Sequence, residues 1–246
     1  MNLTDPKDLA TQFIESILAL RSEIAVFDCD GTLWSGDSGR DFFYWEIERG
    51  LVSPEVAEAM LERYRLYELG EVGEEPMCGD MVTMNRGLSI AALHEAAQEF
   101  FDGVVVPRIF PEMLELTSRL AEQGCELWAV SSTNNWVVEA GASRFGISRD
   151  HVLAACLGEE DGRATDRLRR VPTGDLKAVA IREVIGRPVH AVFGNSMHDH
   201  AMLEIAKYPF CINPNPDLEQ TAKQKNWPIY WPTGTRPTVL YFAGIG

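Results

Sequence analysis

Ile24-Ala25-Val26-Phe27-Asp28-Cys29-Asp30-Gly31-Thr32-Leu33 opens as four continuous apolar residues and ends as a turn. A short apolar run of this kind suits a strand buried on both faces of a parallel sheet. Side chains alternate along extended backbone, so Asp28 and Asp30 point one way and Cys29 the other. Two neighbouring carboxylates repel each other unless a cation neutralises them or one holds a proton. Gly31 lets the backbone turn sharply or approach a ligand closely. In an open α/β sheet, ligands bind beyond the carboxyl ends of the strands, which is where this pair sits.

Outward from this stretch, similar apolar runs recur at Glu126 to Val130, Val189 to Phe193 and Pro209 to Ile212. Helical patterns lie between them, at Pro111 to Glu122, Trp136 to Phe145, Leu176 to Ile185 and His200 to Lys207. A first helix precedes the first strand, with Thr4 or Asp5 as its cap and Phe13, Ile17 and Leu20 at helical spacing. The alternation predicts an α/β fold with a doubly wound, mainly parallel, Rossmann-like sheet. One interval breaks it. Between residues 37 and 102 the pattern is helical throughout (Arg40 to Arg49, Pro54 to Leu69, Cys78 to Arg86, Ile90 to Phe101), with glycines between. The expectation is a catalytic core of residues 1–36 and 103–246, carrying a helical cap of residues 37–102 inserted after the first core strand. The apolar run Val152 to Leu157, followed by an Asp161-Gly162 turn, predicts a β-hairpin.

The chain has 246 residues and a formal net charge of −15. It is long enough to bury roughly 70–75% of its unfolded surface without staples. Its acidity leaves no basic footprint for nucleic acid or for an anionic membrane surface. Five scattered cysteines with no Cys-x-x-Cys pair argue against a disulfide framework or a zinc knuckle. No signal peptide pattern and no apolar run of about 18 residues is present, so no membrane span is expected and the cytoplasm is the expected location.

Three further stretches carry candidate chemistry. Ser131 and Ser132, in Val130-Ser131-Ser132-Thr133-Asn134, put hydroxyls and free N–H groups ahead of a helix, the makings of an anion site or of an N-cap. Lys177 is the single lysine between positions 8 and 206, near a helix start where the dipole favours anions. In Gly194-Asn195-Ser196-Met197-His198-Asp199 an Asn and an Asp four apart flank a turn and offer the oxygen ligands that Mg²⁺ prefers.

In chain order, a carboxylate pair (Asp28, Asp30), a hydroxyl (Ser131), a lysine (Lys177) and an oxygen-rich turn (Asn195 to Asp199) resemble the haloacid dehalogenase superfamily, and within it the phosphoserine phosphatase-like branch. The resemblance spans nearly the whole chain, and the helical insert lies where that branch places its cap. It implies a Mg²⁺-dependent phosphomonoesterase. Asp28 would be the nucleophile that forms an aspartyl-phosphate, and Asp30 would protonate the leaving group and then deprotonate water. Ser131, Ser132 and Lys177 would hold the phosphoryl oxygens, while Asp28, the Asp30 carbonyl, Asn195 and Asp199 would hold Mg²⁺. Asn195 departs from the family's commoner Asp, which leaves open whether Asn195 or Asp199 is the direct ligand. A non-catalytic phosphate-binding relative and a phosphomutase are the alternatives.

By the same resemblance, Asp37 and Arg86 would bind the two charged ends of an amino-acid substrate. The aromatics Trp34, Phe42, Phe43, Tyr44 and Trp45 either pack the cap on the core or form a cage for an ammonium. Residues 37–102 hold 15 acidic residues against 5 arginines. An acidic lid disfavours a purely anionic substrate, so the expected partner is a small amine-bearing ester: phosphoserine, phosphocholine, phosphoethanolamine or histidinol phosphate.

Overall fold

The computed structural model describes residues 6–235 and 240–241; the expected caps Thr4 and Asp5 lie outside the described residues. In chain order the elements are α1 (Pro6–Leu18), β1 (Ile24–Phe27), α2 (Ser38–Glu48), α3 (Pro54–Glu68), α4 (Glu74–Thr83), α5 (Ile90–Phe100), α6 (Pro111–Glu122), β2 (Glu126–Asn134) and α7 (Asn135–Ala142). They continue with β3 (Val152–Glu160), β4 (Arg163–Arg170), α8 (Asp175–Val184), β5 (Ala191–Gly194), α9 (His200–Glu204), β6 (Tyr208–Ile212), α10 (Pro216–Lys225), β7 (Ile229–Tyr230) and β8 (Leu240–Tyr241).

The eight strands form one sheet in the order β4-β3-β2-β1-β5-β6-β7-β8. The six strands from β3 to β7 are parallel, and β4 and β8 close the two edges in antiparallel pairs. The chain leaves β1 towards β2 on one side and returns to β5 on the other, so the crevice beyond β1 is the topological switch point. Alternation along β1 sorts the two layers. Ala25 and Phe27 face a core shared with α1, α6 and α7, while Ile24 and Val26 face one shared with α8, α9 and α10. Phe27 stacks on Phe193 of β5 with ring centroids 4.4 Å apart. The doubly wound fold follows from that two-sided burial.

Helices α2 to α5 lie between β1 and β2. Phe43, Val52, Tyr64, Val72, Met77 and Met84 form a small core of their own. Phe42 of α2 and Leu93, Ala97 and Phe100 of α5 instead join the main core. Two boundaries differ most from the sequence reading, by four residues each. Helix α4 starts at Glu74 rather than Cys78, because Pro76 falls in the first turn, where a missing N–H costs nothing. Strand β2 runs on to Asn134, continuing its pairing with β3 across a register shift (Asn134 with Ala155). Among the described residues, no helix is long and apolar enough to cross a membrane.

Candidate active site

Asp28 follows β1 directly, and its backbone N–H continues the ladder to the Phe193 carbonyl at 2.9 Å. Its carboxylate is buried. Lys177, carried in by the first turn of α8, places Nζ 2.7 Å from Asp28 Oδ1 and 2.6 Å from Asp199 Oδ1. The Thr32 hydroxyl donates to Asp28 Oδ2 at 2.9 Å. Burial, then the charge of Asp199, pushes Asp28 up to about 7 against the opposing pull of Lys177. Burial alone would lower the pKa of Lys177; Asp199 and Asp28 outweigh it and hold the ammonium charged.

Asp199 is fully buried, and both of its oxygens are engaged. Oδ2 accepts from the backbone N–H groups of Asn195 (2.8 Å) and Ser196 (3.0 Å), while Oδ1 meets Lys177. Gly194 makes room for it: a Cβ there would stand 2.5 Å from Asp199 Cβ. Asn195 is partly exposed and lies against Gly31, whose φ of +80° and lack of a side chain are both needed. A Cβ on Gly31 would come within 1.9 Å of Asn195 Nδ2.

The Asp30 carboxylate is held by a separate set of donors. Oδ1 accepts from the Trp34 indole N–H (2.6 Å) and the Ser38 backbone N–H (2.7 Å), and Oδ2 accepts from the Thr133 hydroxyl (2.8 Å). Ser131 is buried, and its hydroxyl accepts from the Thr133 backbone N–H at 3.2 Å. Asn134 caps α7 by accepting from Val137 N–H at 3.0 Å. The two readings of this stretch therefore divide: the cap belongs to Asn134, and the hydroxyls remain at the strand end.

A cavity of about 80 Å³ separates the inserted helices from these strand ends, and Asp37, Ser132 and Thr133 line it. Asp37 caps α2 by accepting from Arg40 N–H at 2.8 Å. Surrounding protein and the charge of Asp30 shift its pKa upward. Arg86 stands apart: it is exposed beyond α4 and does not line the cavity. The cation that does line it is Arg40. Trp34, Phe42 and Phe43 are buried packing residues, not an exposed cage. The aromatics on the cavity are Tyr64 and Tyr67 from α3, accompanied by Glu74.

Sequence reasoning missed Thr133, Glu74, Tyr64 and Tyr67. Thr133 had a signal, since alternation places it on the same face as Ser131 once the strand continues. The other three sit on helices whose orientation only the tertiary packing sets. Glu74 also pairs across the seam with His198 Nδ1. Burial works against its ionisation, but His198, Thr173 and Lys177 lower its pKa.

No three His, Cys, Asp or Glu side chains are grouped as a metal site among the described residues. A divalent ion here would draw on oxygens of mixed origin: the Asp28 carboxylate, the Asp30 main-chain carbonyl and the Asn195 amide. Mg²⁺ is commonly held by one or two carboxylates, with waters and substrate phosphate filling the remaining positions, so this donor set suits it. Three aspartates against one lysine leave negative charge for a cation to neutralise, and Gly31 keeps open the cradle in which Asn195 lies.

The family model for haloacid dehalogenase-like hydrolase matches residues 25–204. A histidinol-phosphatase of Neisseria meningitidis serogroup C (strain 8013) is 26% identical over 217 residues, 84% of this chain and 97% of that protein. The phosphoserine phosphatase SerB1 of Mycobacterium tuberculosis (strain ATCC 25618 / H37Rv) is 26% identical over 220 residues, 83% of this chain and 69% of that one. Among solved structures, a protein of unknown function from Bordetella pertussis Tohama I superposes with a TM-score of 0.72 at 24% identity, covering 84% and 96% of the two chains. A substrate-bound phosphoserine phosphatase superposes with a TM-score of 0.53 at 18% identity, covering 80% and 89%. These two structures share the fold.

Proposed function

The chain belongs to the haloacid dehalogenase-like hydrolases and is a phosphatase, and we propose that it is a Mg²⁺-dependent phosphomonoesterase working through an aspartyl-phosphate on a small amine-bearing ester. The observation that carries this reading is Lys177 bridging Asp28 and Asp199 beyond β1. An Asp28 carboxylate oxygen attacks phosphorus, and the ester oxygen leaves with a proton from Asp30. Asp30 then takes a proton from water as that water attacks the aspartyl-phosphate, which releases phosphate and restores Asp28. Lys177 and the Ser131 and Ser132 hydroxyls hold the phosphoryl oxygens, and Thr133 and Trp34 hold Asp30 in place. Mg²⁺, when bound by Asp28, the Asp30 carbonyl and Asn195, offsets the repulsion between an anionic nucleophile and an anionic substrate. Asp199 is fully buried, with Oδ2 held by two backbone N–H groups, whereas Asn195 is partly exposed, so Asn195 is the better candidate for the direct ligand and Asp199 for the group that positions Lys177.

In this reading residues 1–36 and 103–246 are the catalytic core and residues 37–102 the cap that closes over the leaving group. The names of the relatives, a histidinol-phosphatase and a phosphoserine phosphatase, support an amine-bearing substrate. The five cysteines are scattered with no Cys-x-x-Cys pair, a usage that suits a reducing, cytoplasmic setting. A panel of phosphate esters assayed for phosphate release with and without Mg²⁺, beside Asp28→Asn, tests the proposal. Release that requires Mg²⁺ and vanishes in Asp28→Asn is expected. No release from any ester sinks the enzyme reading, and release persisting in the variant sinks the nucleophile.

A further inference from the structure

The leaving-group end of the cavity has an uneven balance of charge. Asp37 and Glu74 both line it, and so do the aromatic rings of Tyr64 and Tyr67, with ring centroids 5.6 Å apart. Carboxylates beside aromatic faces are the surroundings in which a desolvated ammonium or imidazolium is favoured. The single cationic side chain on the cavity is Arg40, and Asp41 already holds it: Asp41 Oδ1 accepts from Arg40 Nε at 3.2 Å and Nη2 at 3.0 Å. Asp41 Oδ2 in turn accepts from Arg108 Nη1 at 2.6 Å, which fixes the carboxylate in that position. Arg86, the other arginine that could meet a substrate carboxylate, is exposed and off the cavity.

An amino-acid phosphate brings both an ammonium and a carboxylate. Its ammonium would find Asp37 as a counter-charge, with Glu74 shared with His198, but its carboxylate would face both acids with no uncommitted cation on the cavity to pair with. We propose that the cavity is built for a leaving group that carries a cation and no carboxylate, the amino or imidazolyl alcohol of a phosphate ester, with Asp37 as its counter-charge, Glu74 shared between it and His198, and Asp41 as the specificity residue that withholds Arg40. This rests on the phosphatase reading above and narrows its substrate class.

The test compares esters differing in one group: O-phosphoethanolamine against O-phospho-L-serine, with L-histidinol phosphate as a second carboxylate-free cation. Glycerol 1-phosphate and p-nitrophenyl phosphate serve as uncharged-leaving-group controls. The better carboxylate-free cationic ester should exceed phosphoserine in kcat/KM by about tenfold or more, and glycerol 1-phosphate by a similar factor. In Asp41→Asn, which frees the Arg40 guanidinium, the gap to phosphoserine should narrow through a lower KM for phosphoserine. Turnover of phosphoserine as fast as both carboxylate-free cations in the unaltered chain overturns this inference and leaves the phosphatase reading standing. Failure to hydrolyse all five esters overturns the phosphatase reading itself. An unchanged gap in a folded Asp41→Asn variant removes Asp41 from the specificity role.

Discussion

Thr133 donates its hydroxyl to Asp30 Oδ2 at 2.8 Å, joining residues 103 positions apart in the chain. Among the described residues it is the one side-chain hydroxyl on that carboxylate, whose other oxygen is held by Trp34 and the Ser38 backbone. Gly39 lies against the same hydroxyl: a Cβ there would stand 2.6 Å from Thr133 Oγ1. If Asp30 moves the proton, its orientation limits turnover more than binding. Thr133→Val, nearly isosteric but without the donor, should lower kcat by about 10-fold to 100-fold with KM changed little, the size of a hydrogen bond to a charged group. Thr133→Ser should recover most of the loss. Steady-state kinetics on the three proteins checks this; a Val variant with wild-type kcat would leave Thr133 a purely structural role.

Lys177 is buried between two carboxylates that face no other cationic side chain in the described contacts. Lys177→Met therefore leaves negative charge uncompensated, a change that typically costs about 3–5 kcal/mol. Urea denaturation at pH 7.5 should show a loss of this order, and phosphate release should fall by about a thousandfold, as when a positioned electrostatic group is removed from a reacting site. The stability deficit should shrink at pH 5, where Asp28, pushed up to about 7 in the folded protein, takes up a proton. An equal deficit at both values would argue against charge as its source.

The parts of this site legible in the sequence are those fixed by local geometry. Asp28, Asp30 and Ser131 sit at or next to the ends of strands whose apolar runs announce them, and Asn195 and Asp199 share one short turn. Lys177 stood out by the scarcity of lysine, although nothing local says that it reaches Asp28 from 149 residues away. The inserted segment was legible as helices but not as a surface. Which edge of each helix meets the cavity depends on how four helices pack. That is why Tyr64, Tyr67 and Glu74 were missed, and why Arg86 was expected in the place that Arg40 occupies. The aromatic run from Trp34 to Trp45 illustrates the same point. Its rings supply packing, and its one polar contribution, the Trp34 N–H on Asp30, could not be assigned without tertiary structure.

Glu46 of α2 is buried among the inserted helices, and neither its Oε2 nor the Oδ1 of nearby Asn85 has a hydrogen-bond partner among the described residues. Burial, opposed by Asn85, pushes the carboxyl up from 4.5 to about 8. The folded state therefore holds a proton that the unfolded chain has lost, between pH about 4.5 and about 8. In that window the unfolded state binds fewer protons, so stability falls as pH rises, by up to roughly 1.4 kcal/mol per unit. Glu46→Gln keeps the shape and removes the titration. Its stability relative to the unaltered chain, from urea curves at pH 6, 7 and 8, should improve steadily with pH; parallel curves would show that Glu46 does not carry the proton.

Gly31 combines a φ of +80° with a contact that no side chain can share, since a Cβ would stand 1.9 Å from Asn195 Nδ2 and 2.7 Å from its Cγ. Gly31→Ala must both strain the loop and push the Asn195 amide aside. The strain alone costs on the order of 1 kcal/mol, a modest loss for the fold. The displacement falls on the proposed metal ligand, so the larger effect should be on Mg²⁺. We expect Gly31→Ala to need at least about tenfold more Mg²⁺ for half-maximal phosphate release, beyond a melting temperature lowered by only a few degrees, since a misplaced ligand or supporting group typically weakens metal affinity about 10-fold to 100-fold. Asn195→Ala should shift the Mg²⁺ requirement in the same direction without straining the loop. If Gly31→Ala lost stability but kept its Mg²⁺ titration, the glycine would serve the turn alone, and Asn195 would have no part in holding the ion.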